Sequence, residues 1–206
     1  MSGATRTLAG YLHHPRLGCL LTPDIARPAH LRLARASGCW AADNSAFARF
    51  DPGRFCSFLG RIARLPGCLW VSAPDVVADA RQTLARFDRW QPVITEVGLP
   101  VAYVAQDGSE ELDLPWGRLA CLFVGGSTGW KLSRASEDLI GETRRRGRWV
   151  HVGRVNSRKR VRWCAAAGAD SLDGSGFGRF PRVNIPRGLA WLAEVDPTAG
   201  SPACSP

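Results

Sequence analysis

The chain has 206 residues, 45% hydrophobic and 22% charged, with a formal net charge of +9. That length allows one domain with a substantial core, and the composition is that of a soluble globular protein rather than a disordered one. No apolar run reaches about 18 residues, which excludes a helical membrane span, and MSGATRTLAGYLHHPR lacks the long apolar stretch of a secretory signal, so a cytoplasmic protein is expected.

The charge is carried almost wholly by arginine, the only lysines being Lys131 and Lys159. An anionic partner accounts for the excess, with nucleic acid the first candidate; a GC-rich coding bias accounts for the choice of arginine but not for the net charge. The seven cysteines form no C-x-x-C and no Cys/His cluster at zinc spacing, so no metal site is expected. Cys39, Cys68, Cys121 and Cys164 lie among apolar residues and read as small core fillers.

Along the chain, short apolar runs alternate with longer amphipathic ones. Strands are expected at TLAGYL, GCLLT, CWAA, LWVSA, VAYVA, ACLFVG, WVHVG and ADSL. DPGRFCSFLGRIARL predicts a helix with Asp51 as N-cap and Pro52 at its first position. PDVVADARQTLARFDRW repeats apolar residues at helical spacing, at Val76, Ala80, Leu84 and Phe87. RASEDLIGETRRRG closes on basic residues and Gly147, as helix ends do. NSRKRVRWCAAAG starts at an Asn/Ser cap and stops at Gly168. Strand and helix alternating at about 25 to 30 residues predict an α/β fold with a parallel sheet. The strands are apolar on both faces, as buried parallel strands are. A small (β/α)8 TIM-type barrel with an irregular or incomplete first unit is expected over residues 1–195. The other candidate is an open doubly wound sheet, but no G-x-G-x-x-G follows the first strand. Residues 196–206, DPTAGSPACSP, have the composition of a disordered tail.

Polar residues recur directly after the strands: Asp43, Asp75, Gln106, the pair Gly125–Gly126, and Asp173. In a β/α barrel these positions converge on one rim, where active sites are built. Asp43 and Asp75 are also open to a reading as helix N-caps, and Gln106-Asp107-Gly108 to a reading as a plain turn. Carboxylates around one pocket suit attack on an electrophilic carbon by one acid and proton transfer by another. A carboxylate and an amide also match the polar edge of guanine. His151 alternates with Val150 and Val152 and faces either the barrel interior or a helix; neither it nor His13 and His14 is given a role.

Arg158, Lys159, Arg160 and Arg162 fall in the first turns of a predicted helix, where positive charge opposes the helix dipole by about 0.3–1 kcal/mol each. Such a broken rule suits phosphate binding at a barrel rim, or simply a solvated basic face. Trp130, Trp149 and Trp163 are open to base stacking or to burial in the core.

The ordered series DNSAF, Asp75, VAQDG, VGGS and GADSLD resembles the strand-end motifs of the guanine transglycosylase superfamily, from residue 8 to about 180. The absence of a zinc-binding cysteine subdomain and the run HVGRVNSRKRV resemble its DpdA-type branch, often found in phages, which places 7-deazaguanines in DNA. The resemblance implies a base-exchanging glycosyltransferase acting through a covalent aspartyl-glycosyl intermediate. Asp173 would be the nucleophile and Asp43 the general acid/base. Asp75, Gln106, Gly125 and Gly126 would read the base, and Arg154, Arg158, Lys159 and Arg160 would hold DNA phosphates. It implies no metal or redox cofactor, a free 7-deazaguanine base as co-substrate, DNA as partner, and the host cytoplasm if the chain is phage-encoded. The alternatives are the same chemistry on tRNA, an inert nucleic-acid-binding barrel and a hydrolytic base glycosylase.

Overall fold

The computed structural model describes residues 5–12, 14–46 and 50–196. The elements, in chain order, are α1 (Thr5–Ala9), β1 (Cys19–Leu21), α2 (Pro28–Ser37), β2 (Trp40–Ala42), α3 (Pro52–Ile62), β3 (Cys68–Ser72), α4 (Ala80–Glu96) and β4 (Val101–Ala105). They continue with β5 (Cys121–Val124), α5 (Thr128–Lys131), α6 (Arg134–Arg145), β6 (Trp149–Val152), α7 (Arg158–Ala167), β7 (Ser171–Leu172), α8 (Ser175–Arg179) and α9 (Pro181–Val195).

The strands form one seven-stranded sheet in chain order, β1 to β7, every neighbouring pair parallel. That order is the barrel order; a doubly wound sheet reverses direction partway. The sheet curls. Trp70 of β3 and His151 of β6 lie three strands apart in the sheet, yet their ring centroids are 4.6 Å apart, where a flat sheet would separate them by about 14 Å. Among the described residues no pairing joins β7 to β1, so the architecture is a curled half-barrel of small TIM type, wrapped by helices.

Alternation along the strands separates two cores. Ala41, Trp70, Ala102, Val104, Cys121 and Phe123 fill the concave interior. Trp40, Ala42, Val71, Tyr103, Leu122, Val124, Val150 and Val152 face outward into the larger core beneath the helices.

Helix starts follow the sequence closely. Asp51 Oδ1 accepts from Arg54 N–H at 3.0 Å and Pro52 opens α3. Asp79, not Asp75, caps α4, accepting from Gln82 N–H at 2.9 Å. Asp43 and Asp75 are therefore not caps. Ser157 caps α7, and Gly168 ends it in the left-handed conformation.

TLAGYL does not form the expected first strand. Its backbone bonds are local, Gly10 N–H to Thr7 O and Tyr11 N–H to Leu8 O, and α1 occupies its start. GCLLT supplies the first strand instead, and the strand count falls to seven. Helix α9, unforeseen in the sequence, packs on α7 and α8. The expected tail lies outside the described residues beyond Asp196, as does His13.

Candidate active site

The inward residues at the carboxyl ends of the strands build one mouth. Asp43 follows β2; its backbone N–H donates to Leu21 O at 2.9 Å. Ser72, the last residue of β3, donates its hydroxyl to Asp43 Oδ1 at 3.3 Å and accepts Asn44 N–H at 2.9 Å. Buried Asn44 uses its amide to donate to Ala73 O at 2.8 Å and to Asp75 Oδ1 at 3.0 Å. Burial, then the Asp173 charge, then the Asp75 charge push the Asp43 carboxyl up to about 7. Asp43 and Asp173 end strands five places apart in the sheet, so this coupling is a product of the curl.

Asp75 is held from two sides. Asn44 takes one oxygen, and Gln106 Nε2 donates to Oδ2 at 2.7 Å. Burial raises its proton affinity, opposed by these two donors and by Arg86. Gln106, only 2% exposed, spends its amide within the protein: Oε1 accepts from Ala78 N–H at 2.9 Å and from Gly126 N–H at 3.1 Å. A Cβ on Gly125 would come within 2.9 Å of Gln106 Nε2. Gly126 adopts φ +56, and a Cβ there would stand 2.3 Å from Trp130 Cε3. Both glycines thus serve internal packing at the rim.

Asp173 ends β7, with its side chain 14% exposed. Its Oδ1 accepts Arg154 N–H at 3.0 Å, and Oδ2 lies 3.2 Å from His151 Nε2. Burial pushes this carboxyl up, but the hydrogen bonds from His151 and from Arg154 N–H outweigh it and hold Asp173 below the usual carboxylate range. His151 is itself fully buried, and burial lowers its proton affinity. The geometry supports a neutral imidazole donating to an ionised Asp173.

Two cations flank the acids and donate to backbone carbonyls. The Arg154 guanidinium donates to the carbonyls of Gly125 and Gly126. Lys131, 4% exposed, donates to Gly153 O; burial, then the Arg154 charge, push it down to about 8. Arg160 donates to Arg154 O at 3.1 Å. Arg158 pairs with Glu194 at 2.7 Å, on the outer side of α7. Lys159 sits on the same first turn of α7.

Three non-glycine residues adopt left-handed φ: Ser45 at 60°, Ala78 at 60° and Arg154 at 61°. Ser45 and Arg154 lie three and two residues past the ends of β2 and β6, and Ala78 lies in the loop between β3 and α4. The strain has a visible use, since it aims Ala78 N–H at Gln106 and Arg154 N–H at Asp173. Such strain collects at functional sites.

Asp43, Asp75, Gln106, Gly125, Gly126 and Asp173 therefore meet at one end of the sheet. Sequence reasoning missed Asn44, Ser72 and Lys131, and left His151 without a role. Ser72 follows from the inward alternation of β3, whereas Asn44 shares the outward parity of Trp40 and Ala42 and no strand pattern marks it. Lys131 carried a signal as one of only two lysines. Among the described residues no cluster of three or more His, Cys, Asp or Glu is arranged to hold a metal. A separate, mainly apolar cavity of about 250 Å³ opens elsewhere, at the seam between β7 and β1, lined by Leu17, Leu69, Trp149, Val161, Leu189 and Leu192 among others. The chemistry-bearing side chains put the site at the rim instead.

No family model and no curated protein matches the chain. One solved structure similar to it, from Silicibacter pomeroyi DSS-3, is named as a glycerophosphoryl diester phosphodiesterase. It shares 19% identity at a TM-score of 0.41, over 79% of this chain and 57% of that one. The chain thus spans little more than half the length of that protein.

These findings correct the transglycosylase resemblance. No family model and no curated protein supports a transglycosylase. The DNA-modifying exchange of guanine for a 7-deazaguanine, its tRNA counterpart and the base-glycosylase and inert-binder alternatives are withdrawn with it. The physical reason lies in the motifs themselves. Each is a strand-end acid or glycine pair of a few residues, and barrel geometry asks for such residues in any site on this rim. In this chain VAQDG and VGGS are explained by the Gln106 bracing and the Trp130 contact.

Proposed function

We propose that the rim is an acid–base active site in which one carboxylic acid protonates a leaving group and a second, ionised carboxylate meets the carbon it departs from. The observation that carries this reading is the unequal setting of Asp43 and Asp173 around one mouth. Asp43 holds its proton to about 7, and Asp173 is an anchored anion. Pairs of titratable groups pushed apart by their surroundings mark acid and base roles. Asp43 is the general acid. Asp173 is the nucleophile or the counter-charge to a cationic transition state. Asp75, braced by Asn44 and Gln106, adds negative charge that keeps the proton on Asp43.

The surroundings also define the substrate. The negative charge of Asp75 and Asp173 repels an anionic reacting centre, and Arg154 and Lys131 donate to backbone carbonyls. The fitting substrate is a compact, polar, neutral or cationic molecule whose leaving group departs on protonation. The reaction class is hydrolysis or group transfer at carbon. What the similar solved structure acts on is not carried over.

A small polar epoxide, glycidol, tests this directly. Asp173 would attack an epoxide carbon, the C–O bond would break, and the oxygen would take the Asp43 proton, leaving an ester on Asp173. Intact mass and peptide mapping should find one adduct at Asp173, absent in Asp173→Asn and formed about a hundredfold more slowly in Asp43→Asn. Its rate should fall as pH rises past about 7, where Asp43 loses its proton. Adducts scattered over exposed carboxylates, indifferent to both substitutions, would remove the proposal.

A further inference from the structure

We infer that His151 is the positioning residue of Asp173, held as the neutral Nε2–H tautomer by a part-buried relay that runs from Trp149 through Ser171. The inference rests on the acid–base reading of the rim and supplies the part that reading lacks, namely what fixes the anion.

The direction of the relay follows from the donors. Trp149 Nε1 can only donate, and it lies 2.8 Å from Ser171 Oγ. The ionised Asp173 at Nε2 can only accept, and the Ser171 hydroxyl, which still has its own proton to give, donates to His151 Nδ1, also at 2.8 Å. An imidazole nitrogen that accepts carries no proton, so the neutral ring has its proton on Nε2. That nitrogen faces Asp173 Oδ2 at 3.2 Å.

The ring is clamped against exchange of its two nitrogens. Trp70 and Phe123 each lie 4.6 Å from it, centroid to centroid, and His151 has no exposed surface. Arg154 N–H takes the other oxygen of Asp173. Both oxygens are thus fixed by donors from β6 and the loop after it. Charged groups coupled to this pair include Asp43 after β2 and Lys131 of α5. The acid opposes ionisation of Asp173 and the cation favours it. His151 supplies a donor without adding a charge. An alternation of apolar and polar residues along β6 and β7 builds the whole relay: Trp149 and His151 point inward from one strand, Ser171 and Asp173 from the next.

The test needs no substrate. In the whole chain with ¹⁵N-labelled histidine, long-range ¹H–¹⁵N correlation should show His151 with Nε2 protonated and Nδ1 bare, unchanged over roughly pH 5 to 8. An Nδ1–H tautomer, or an imidazolium forming in that range, overturns the inference. A second arm follows Asp173 by ¹³C carboxyl titration. His151→Phe keeps an aromatic ring in the slot but removes the donor, and the Asp173 acid constant should fall about tenfold or more. His151→Gln, which restores an N–H, should recover part of it. An unchanged Asp173 titration in His151→Phe overturns the positioning role, and if that variant does not fold the tautomer measurement on the parent decides. Failure of glycidol to label Asp173 alongside an intact Nε2–H tautomer would remove the catalytic reading and leave the relay standing, so the two outcomes are distinguishable.

Discussion

Gln106 Nε2 donates to Asp75 Oδ2 at 2.7 Å, joining the end of β4 to the loop after β3. The same side chain accepts two backbone N–H groups, from Ala78 and Gly126, so three segments of the rim meet at one buried amide. Gln106→Glu would set a carboxylate against a carboxylate at this distance. The expected loss is about 3 kcal/mol at pH 7. It should shrink toward pH 5, because the pair then shares a proton and the repulsion disappears. Urea unfolding at the two pH values measures it, and an equal loss at both would show that the acids are not in contact.

Asp43 makes a pH-dependent contribution of known sign. Its carboxyl titrates near 7 in the fold against the ordinary 3.8, so between these values the native state holds a proton that the unfolded chain has lost. Stability must therefore fall as pH rises through that window. Asp43→Asn removes the slope while keeping an acceptor for Ser72. The variant should exceed the parent by about 4 kcal/mol at pH 8 and by nothing near pH 4, as measured by chemical denaturation across the range.

Ala78 sits at φ 60, a left-handed conformation that costs a residue with a Cβ about 1 kcal/mol. Ala78→Gly should raise stability by up to about that amount and leave the N–H to Gln106 in place. Ala78→Val should lower it by more, since a branched side chain tolerates this region poorly. Thermal unfolding of the two variants reads the pair of opposite signs.

Gly126→Ala brings two penalties together, a left-handed φ and a Cβ 2.3 Å from Trp130 Cε3. A loss of about 2–3 kcal/mol is expected. The indole must shift, so its Nε1–H bond to Glu110 at 2.7 Å should break as well. Unfolding curves and the Trp130 indole resonance check the two parts.

The fold was legible wherever a strand carried its own boundary signals. CWAA, LWVSA, VAYVA, ACLFVG, WVHVG and ADSL all stand in the sheet, in the order read. TLAGYL deceived because a six-residue apolar run has no period that separates strand from helix. The missing competitor was a partner strand, which the sequence cannot display. Within the site, Asp43, Asp75, Gln106 and Asp173 were legible because strand ends are a place in a pattern. What each does was not. Gln106 and Gly126 look from the sequence like groups free to meet a ligand, and only coordinates show them engaged with Asp75 and Trp130. Likewise the alternation of Val150, His151 and Val152 put the imidazole on one face of β6, but its partners Ser171 and Asp173 come from a strand about 20 residues away.

The measurement closest to the central claim is a site-resolved ¹³C carboxyl titration of Asp43, in the parent and in Asp173→Asn. A shared mouth predicts a midpoint near 7 in the parent. It predicts a clear downward shift once the Asp173 charge is gone, because that charge helps hold the Asp43 proton. An Asp43 that titrates like an ordinary aspartate, or whose midpoint ignores the loss of Asp173, would contradict the account.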